Sequence, residues 1–244
     1  AYFVCFFQNN SVNAQTNQLN LEKYWHYRYR LVNDFMVLGL NDGQSLPAAT
    51  RNLWNDKNLS WGEAPRHLAW YLGVLATEYR LLKNNNQPLN QTMLELYYAL
   101  KAIERLDKKA ELAWGKPDIS TNFNGFMILD DVPADFVTQY SAQLNNPNHI
   151  PGDPWPLPPV TVFSGASGFV DNVESSAKDG DLMHPASQDM YAELLMGLAL
   201  VVKCVDDAYL TFQGPSPPGN IYTANLYFMA QSQAKRILES IETE

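Results

Sequence analysis

Four carboxylates stand where a chain can hold an acid against an apolar wall. Asp130 and Asp131 close the apolar run of NGFMILDD, Asp189 opens the segment SQDMYAELLMGLALVV, and Glu63 follows Trp61 in SWGEAPRH. Two carboxyl groups in unlike settings, one kept protonated by apolar neighbours and one ionised, are what glycoside hydrolysis requires. Two of the four also have a structural use: Asp131 can cap a helix, and Asp189 suits the positive end of a helix dipole. Asp130 is the hardest to explain as structure. Trp61, Trp155 and Tyr191 offer rings that could stack on sugar, or cover the edge of a core. Polysaccharide elimination would use other groups, a His or Tyr as base and an Arg or Asn to neutralise a substrate carboxylate. Arg66, His67, Asn124, His184 and Tyr191 are of those types, with His149 in a neighbouring loop.

Other chemistries fit less well. Asp130, Asp131 and Asp135 imitate the aspartate-rich Mg²⁺ site of isoprenoid synthases, but that motif sits within a helix and Pro133 interrupts this one. Asp179-Gly180-Asp181 could give oxygens to Ca²⁺, yet it lacks the spacing and terminal Glu of an EF-hand loop, so no cofactor is expected. Nucleotide-binding, nucleophile-elbow and zinc-ligand patterns are missing. A net charge of -9 and a pI near 4.9, with no basic run, speak against nucleic acid as a partner. No apolar run approaches the length that spans a bilayer.

The elements that must position these residues follow from periodicity. Leu21, Trp25, Val32, Phe35 and Gly39 share one face of a helix over 19–40, ended by Asn41-Asp42-Gly43. A polar loop over 44–62 leads to a helical hairpin between Glu63 and Trp114. Its first helix carries Pro65 in the first turn and a stripe of Leu68, Leu72, Leu75, Tyr79 and Leu82, with Ala69, Gly73 and Ala76 beside it. Thr92 and Glu95 have capping-box spacing for its second helix, whose stripe is Leu96, Ala99, Leu100, Ile103, Leu106 and Ala110. Glu104 and Lys108 are spaced for an i,i+4 ion pair. Residues 115–185 form a long insertion rich in Gly, Pro, Asn and Asp, too aromatic for a solvated linker, with a short helix expected over Val132 to Leu144. The hairpin design then returns. Ser187 is placed to cap a helix with Met190, Leu194, Leu198, Val201 and Val205 inside, followed by an amphipathic helix carrying Leu226, Ala230, Gln233, Ile237 and Ile241.

At the start, AYFVCFFQNNSVNAQ reads as the tail of an export signal, with Val12-Asn13-Ala14 as a small-residue cleavage site. The expected organisation is therefore a signal tail over 1–14 and one helical-hairpin domain over 15–244, truncated at its C-terminus. With Cys5 removed, Cys204 would stand alone.

A buried, Gly-containing helix followed by an amphipathic one, twice over, resembles the (α/α) toroid superfamily, that of the six-hairpin glycosidases and related polysaccharide lyases. The likeness covers Pro65 to Trp114 and Pro185 to Ile241. Phrases such as AWYLGVLATEYRLL and NGFMILDDVPADF are also similar to those of uncharacterised exported bacterial proteins. The resemblance implies an all-α fold of antiparallel helical hairpins, here an incomplete toroid or a fragment. It also implies a site in a funnel of loops at the starts of the inner helices. Asp130, Asp131, Asp189 and Glu63 are then the catalytic candidates, and Trp61, Arg66, His67, Asn124, Trp155, His184 and Tyr191 the substrate-binding ones. The implied activity is that of an exported glycoside hydrolase acting on oligo- or polysaccharide. A non-catalytic module binding glycan or protein is the rival, and a lyase the third reading.

Overall fold

The structure, a computed structural model, describes residues 6–51, 58–113, 123–133, 135–146, 159–160, 162–164, 178–179, 182–183, 186–214 and 219–243. Trp155, His149, His184 and the Gly180-Asp181 pair lie outside them. The described residues build an all-α fold of seven helices with extensive helix–helix packing, trimmed by short strands. The helices are α1 (Phe6–Asp34), α2 (Ala64–Asn84), α3 (Asn90–Ala113), α4 (Phe136–Gln139), α5 (Ser141–Leu144), α6 (Gln188–Cys204) and α7 (Leu226–Thr243).

Most of the apolar stripes bury as their spacing predicts; Leu82 is half-buried, and Leu21 and Ile241 are exposed. Leu68, Leu72, Leu75 and Tyr79 of α2 and Leu96, Leu100, Ile103 and Leu106 of α3 are buried. So are Leu194, Leu198 and Val201 of α6 and Leu226, Ala230 and Ile237 of α7. The two hairpins dock through α2 and α6, which run parallel. Arg66 meets Asp189 at their N-terminal ends, and Tyr79 and Lys83 meet Asp206 at their C-terminal ends. Close approach depends on Gly197: a Cβ there would lie 2.5 Å from the Ala69 carbonyl oxygen. On the outer side, the Gln233 side chain of α7 donates to the Leu100 carbonyl of α3 at 2.9 Å.

Local details differ from expectation where tertiary partners compete. Helix α1 ends at Asp34 rather than at Leu40. Beyond it the chain doubles back, with Ser45 N–H on Val37 O and Ala48 N–H on Phe35 O. Helix α3 begins at Asn90, so Thr92 and Glu95 are inside the helix and serve α1 and α2 instead of a capping box. Ser187 does occupy the N-cap position of α6, yet its hydroxyl turns to Asp189 rather than to a backbone N–H. Lys101 reaches Glu104 at 2.5 Å, while Lys108 stands exposed. The expected helix over 132–144 is two single turns, α4 and α5, and Asp131 lies upstream of both.

Strands tie the insertion down. β1 (Thr50–Arg51) pairs antiparallel with β2 (Asn58–Ser60), and β2 pairs parallel with β3 (Val162–Ser164) from the far end of the insertion. β4 (Lys178–Asp179) and β5 (Leu182–Met183) pair with each other. A hairpin of β6 (Leu210–Gln213) and β7 (Ile221–Ala224) joins α6 to α7, and Phe212 and Tyr222 seat it on Tyr97 of α3.

Candidate functional site

Three groups of charged side chains are held by the helices, and they differ in what they could do. The first lies where α1 crosses the α2–α3 hairpin. Arg28 of α1 donates through Nε to Glu78 of α2 at 3.0 Å and through Nη2 to Glu95 of α3 at 2.5 Å. The Tyr24 hydroxyl donates to the same Glu78 oxygen at 2.5 Å, Thr92 donates to the other at 2.6 Å, and Tyr71 and Gln91 donate to Glu95. Arg28, Glu78, Thr92 and Glu95 are all at most 6% exposed. Two buried carboxylates on neighbouring helices would repel and be poorly solvated. One guanidinium between them and a hydroxyl on each satisfy them, and that ties three helices together. Burial opposes the Arg28 charge, but Tyr71, Glu95 and Glu78 raise its pKa overall. Burial, and then the Glu78 carboxylate, push Tyr24 well above the ordinary tyrosine range, and burial and Glu95 do the same to Tyr71.

This network forms the floor of a cleft of about 500 Å³ between α1 and the α2–α3 turn. Trp25, Tyr29, Asn33, Gln87 and Gln91 line its walls beside Arg28, Glu78 and Glu95. Tyr29 is exposed and Trp25 half-buried, and the two rings are 6.2 Å apart.

The second group is at the paired N-termini of α2 and α6. Arg66 holds three carboxylates: Glu63, Asp189 and Glu193. Its Nε lies 3.0 Å from Glu193, an ion-pair contact without hydrogen-bond geometry. Trp70 Nε1 donates to Glu193 at 2.8 Å. The Ser187 hydroxyl, more than Arg66, lowers the Asp189 pKa. Glu63 and Asp189, both singled out from sequence, thus come together, with Arg66 as the reason. Among the described residues no group of three or more His, Cys, Asp or Glu side chains is placed to hold a metal ion.

The third group surrounds Asp107 of α3. This carboxyl accepts from Gly125 N–H at 3.1 Å and from Asn124 N–H at 3.3 Å, with Arg236 3.7 Å away. Burial pushes its pKa up to about 6 against the lowering effect of those neighbours. The Asn124 side chain donates to Glu111 one turn on, so Asn124 ties the insertion to α3.

The other sequence-derived candidates have structural surroundings. Asp131 is buried in an ion pair with Arg105 and accepts from Gly43 N–H at 3.1 Å, while Arg105 also reaches Gln44 O at 2.8 Å. Asp130 is 2% exposed and accepts from Val132 N–H at 3.1 Å, a turn closed by its own side chain. Neither lines the cleft. Trp61 is fully buried against Phe136 with Nε1 on Leu46 O at 2.9 Å, so it presents no face for a sugar. Tyr191 is buried and its hydroxyl accepts from Met127 N–H at 2.8 Å. His67 Nδ1 is 2.8 Å from Glu63 O, one helical turn back.

Sequence reasoning missed Arg28, Glu78 and Tyr24, and assigned Glu95 to a cap. The available signal was a charge on an apolar stripe. Glu78 lies between Leu75 and Tyr79 on the buried side of α2, and Arg28 falls between Trp25 and Val32 on α1. Compared with protein-family models, with curated proteins and with solved structures, the chain matches none significantly.

Proposed function

We propose that the protein binds carbohydrate in the cleft between α1 and the α2–α3 hairpin, as two units of a toroid-type array of helical hairpins acting outside the cytoplasm. The observation that carries this reading is the lining. Trp25 and Tyr29 offer ring faces beside the planar polar groups of Asn33, Gln87, Gln91 and Arg28. Sugars are recognised by that mixture, apolar ring faces with hydroxyls at the rim, and the volume lies within the range of small-ligand clefts. The parallel inner helices α2 and α6, with α3 and α7 returning outside, support the array, and the apolar start of the sequence supports export.

Hydrolysis is the second reading, favoured by two carboxylates, Glu78 and Glu95, facing one cleft. It ranks second because both oxygens of each carboxylate are already engaged by neighbouring donors, which leaves neither free to meet a glycosidic oxygen or a water. Titrating the chain with a panel of oligosaccharides while following tryptophan fluorescence tests binding. Saturable quenching that weakens at least tenfold in Trp25→Ala is expected, and a flat response to every glycan overturns the proposal. Release of reducing ends that disappears in Glu78→Gln would promote the hydrolase reading.

A further inference from the structure

The cleft beside α1 has a floor whose charges do not balance. Among the described residues its charged lining is Arg28, Glu78 and Glu95, one guanidinium against two carboxylates. Arg28 reaches both, at 3.0 Å and 2.5 Å, so one negative charge is left without a counter-charge. The other donors to these carboxylates, Tyr24, Tyr71, Thr92 and Gln91, spread that charge without cancelling it. Burial and the carboxylates themselves keep both tyrosines protonated, hence neutral. The cations further along α2, Arg80 and Lys83, pair with Asp206 and do not line the cleft. The side chains of Glu78 and Glu95 are 4% and 3% exposed, so water screens their excess charge poorly.

The walls favour a ligand of the opposite sign. Trp25 and Tyr29 stand one turn apart on α1 with ring centroids separated by 6.2 Å. The electron-rich faces of such rings attract a cation as well as the apolar face of a sugar. Asn33, Gln87 and Gln91 add amide groups that can meet hydroxyls. An acidic sugar would be repelled by the floor, and a neutral one would leave its charge unanswered.

We infer that the saccharide taken by this cleft carries protonated amines, as an oligosaccharide of amino sugars with free amino groups does. The inference rests on the carbohydrate reading of the cleft and narrows it to one substrate class. The ammonium is held between the ring faces and the field of the floor rather than by a direct bond to Glu78 or Glu95, whose oxygens already have donors.

Tryptophan fluorescence titrations of the whole chain test it at mildly acidic pH, where such amines are protonated. Three oligosaccharides of equal length serve as probes: one of glucosamine, one of N-acetylglucosamine and one of glucose. The glucosamine oligomer should bind at least tenfold more tightly than either neutral one, an advantage that shrinks as salt is raised. Glu78→Gln and Glu95→Gln each leave the guanidinium facing a single carboxylate. In either variant that folds, as judged by circular dichroism, the advantage should disappear, and its persistence would overturn the inference. Equal or weaker binding of the glucosamine oligomer beside saturable binding of a neutral one would also overturn it, while leaving the carbohydrate reading intact. A flat response to all three would overturn both. Spermidine, a cation without a sugar ring, binding as tightly as the glucosamine oligomer would show that charge alone is recognised and would overturn the substrate class.

Discussion

Arg28 is the residue on which the buried charge network of α1, α2 and α3 depends. It is the cation shared by Glu78 and Glu95, and all three side chains are at most 5% exposed. Removing one partner of a buried pair leaves charge without compensation. Arg28→Met should therefore cost roughly 3–5 kcal/mol in urea unfolding. A loss below about 1 kcal/mol would mean that water in the cleft solvates the carboxylates unaided. Asp107 acts in the opposite sense. Its folded pKa of about 6 is above the unfolded value near 4, so the native chain holds the proton more tightly. Its contribution to stability is thus present in full below about pH 4 and lost as pH rises through about 6, on the order of 3 kcal/mol. Unfolding free energies of the wild type and Asp107→Asn, compared from pH 4 to pH 7, isolate this term. The wild type should lose stability relative to the variant as pH rises, and a relative gain would contradict the assignment.

Among the helices, the contact that sets the spacing of the two hairpins is Gly197 against Ala69. An added Cβ meets backbone there, at 2.5 Å from the Ala69 oxygen, and backbone cannot yield without moving α2 from α6. At Gly73 the nearest atom is the tip of Leu200, 3.1 Å away, which can rotate. Gly197→Ala should then lower stability by about 1–3 kcal/mol. Gly73→Ala should be neutral or gain up to about 1 kcal/mol from helix propensity. Thermal or urea unfolding of the pair checks this, and equal losses would show that α2 and α6 are not held at that point. Both glycines were visible in the sequence as interruptions of apolar helices. Their different weights were not, because each depends on which atom of the other helix lies opposite.

For the whole molecule, two hairpins pack through parallel inner helices, α1 lies across the first of them, and the insertion returns to pair β3 with β2. This arrangement separates residues that looked like one site. Glu63 and Asp189 meet at Arg66, whereas Asp131 pairs with Arg105 and Asp130 closes a local turn. It also creates two surfaces that no single segment contains: a polar aromatic cleft beside α1 and an apolar groove between α2 and α6. No helix among the described residues is long and apolar enough to cross a membrane. The sequence by itself determined the helical class and the helices of both hairpins, together with most of the side chains they bury, because apolar periodicity is local and burial follows from it. Only the tertiary structure decided which carboxylates share a cation and which wall the cleft. Glu78 and Glu95 are seventeen residues apart in sequence and Arg28 is fifty from the nearer. Long-range electrostatic pairing leaves no period in a sequence, only a charge on a face that should be apolar.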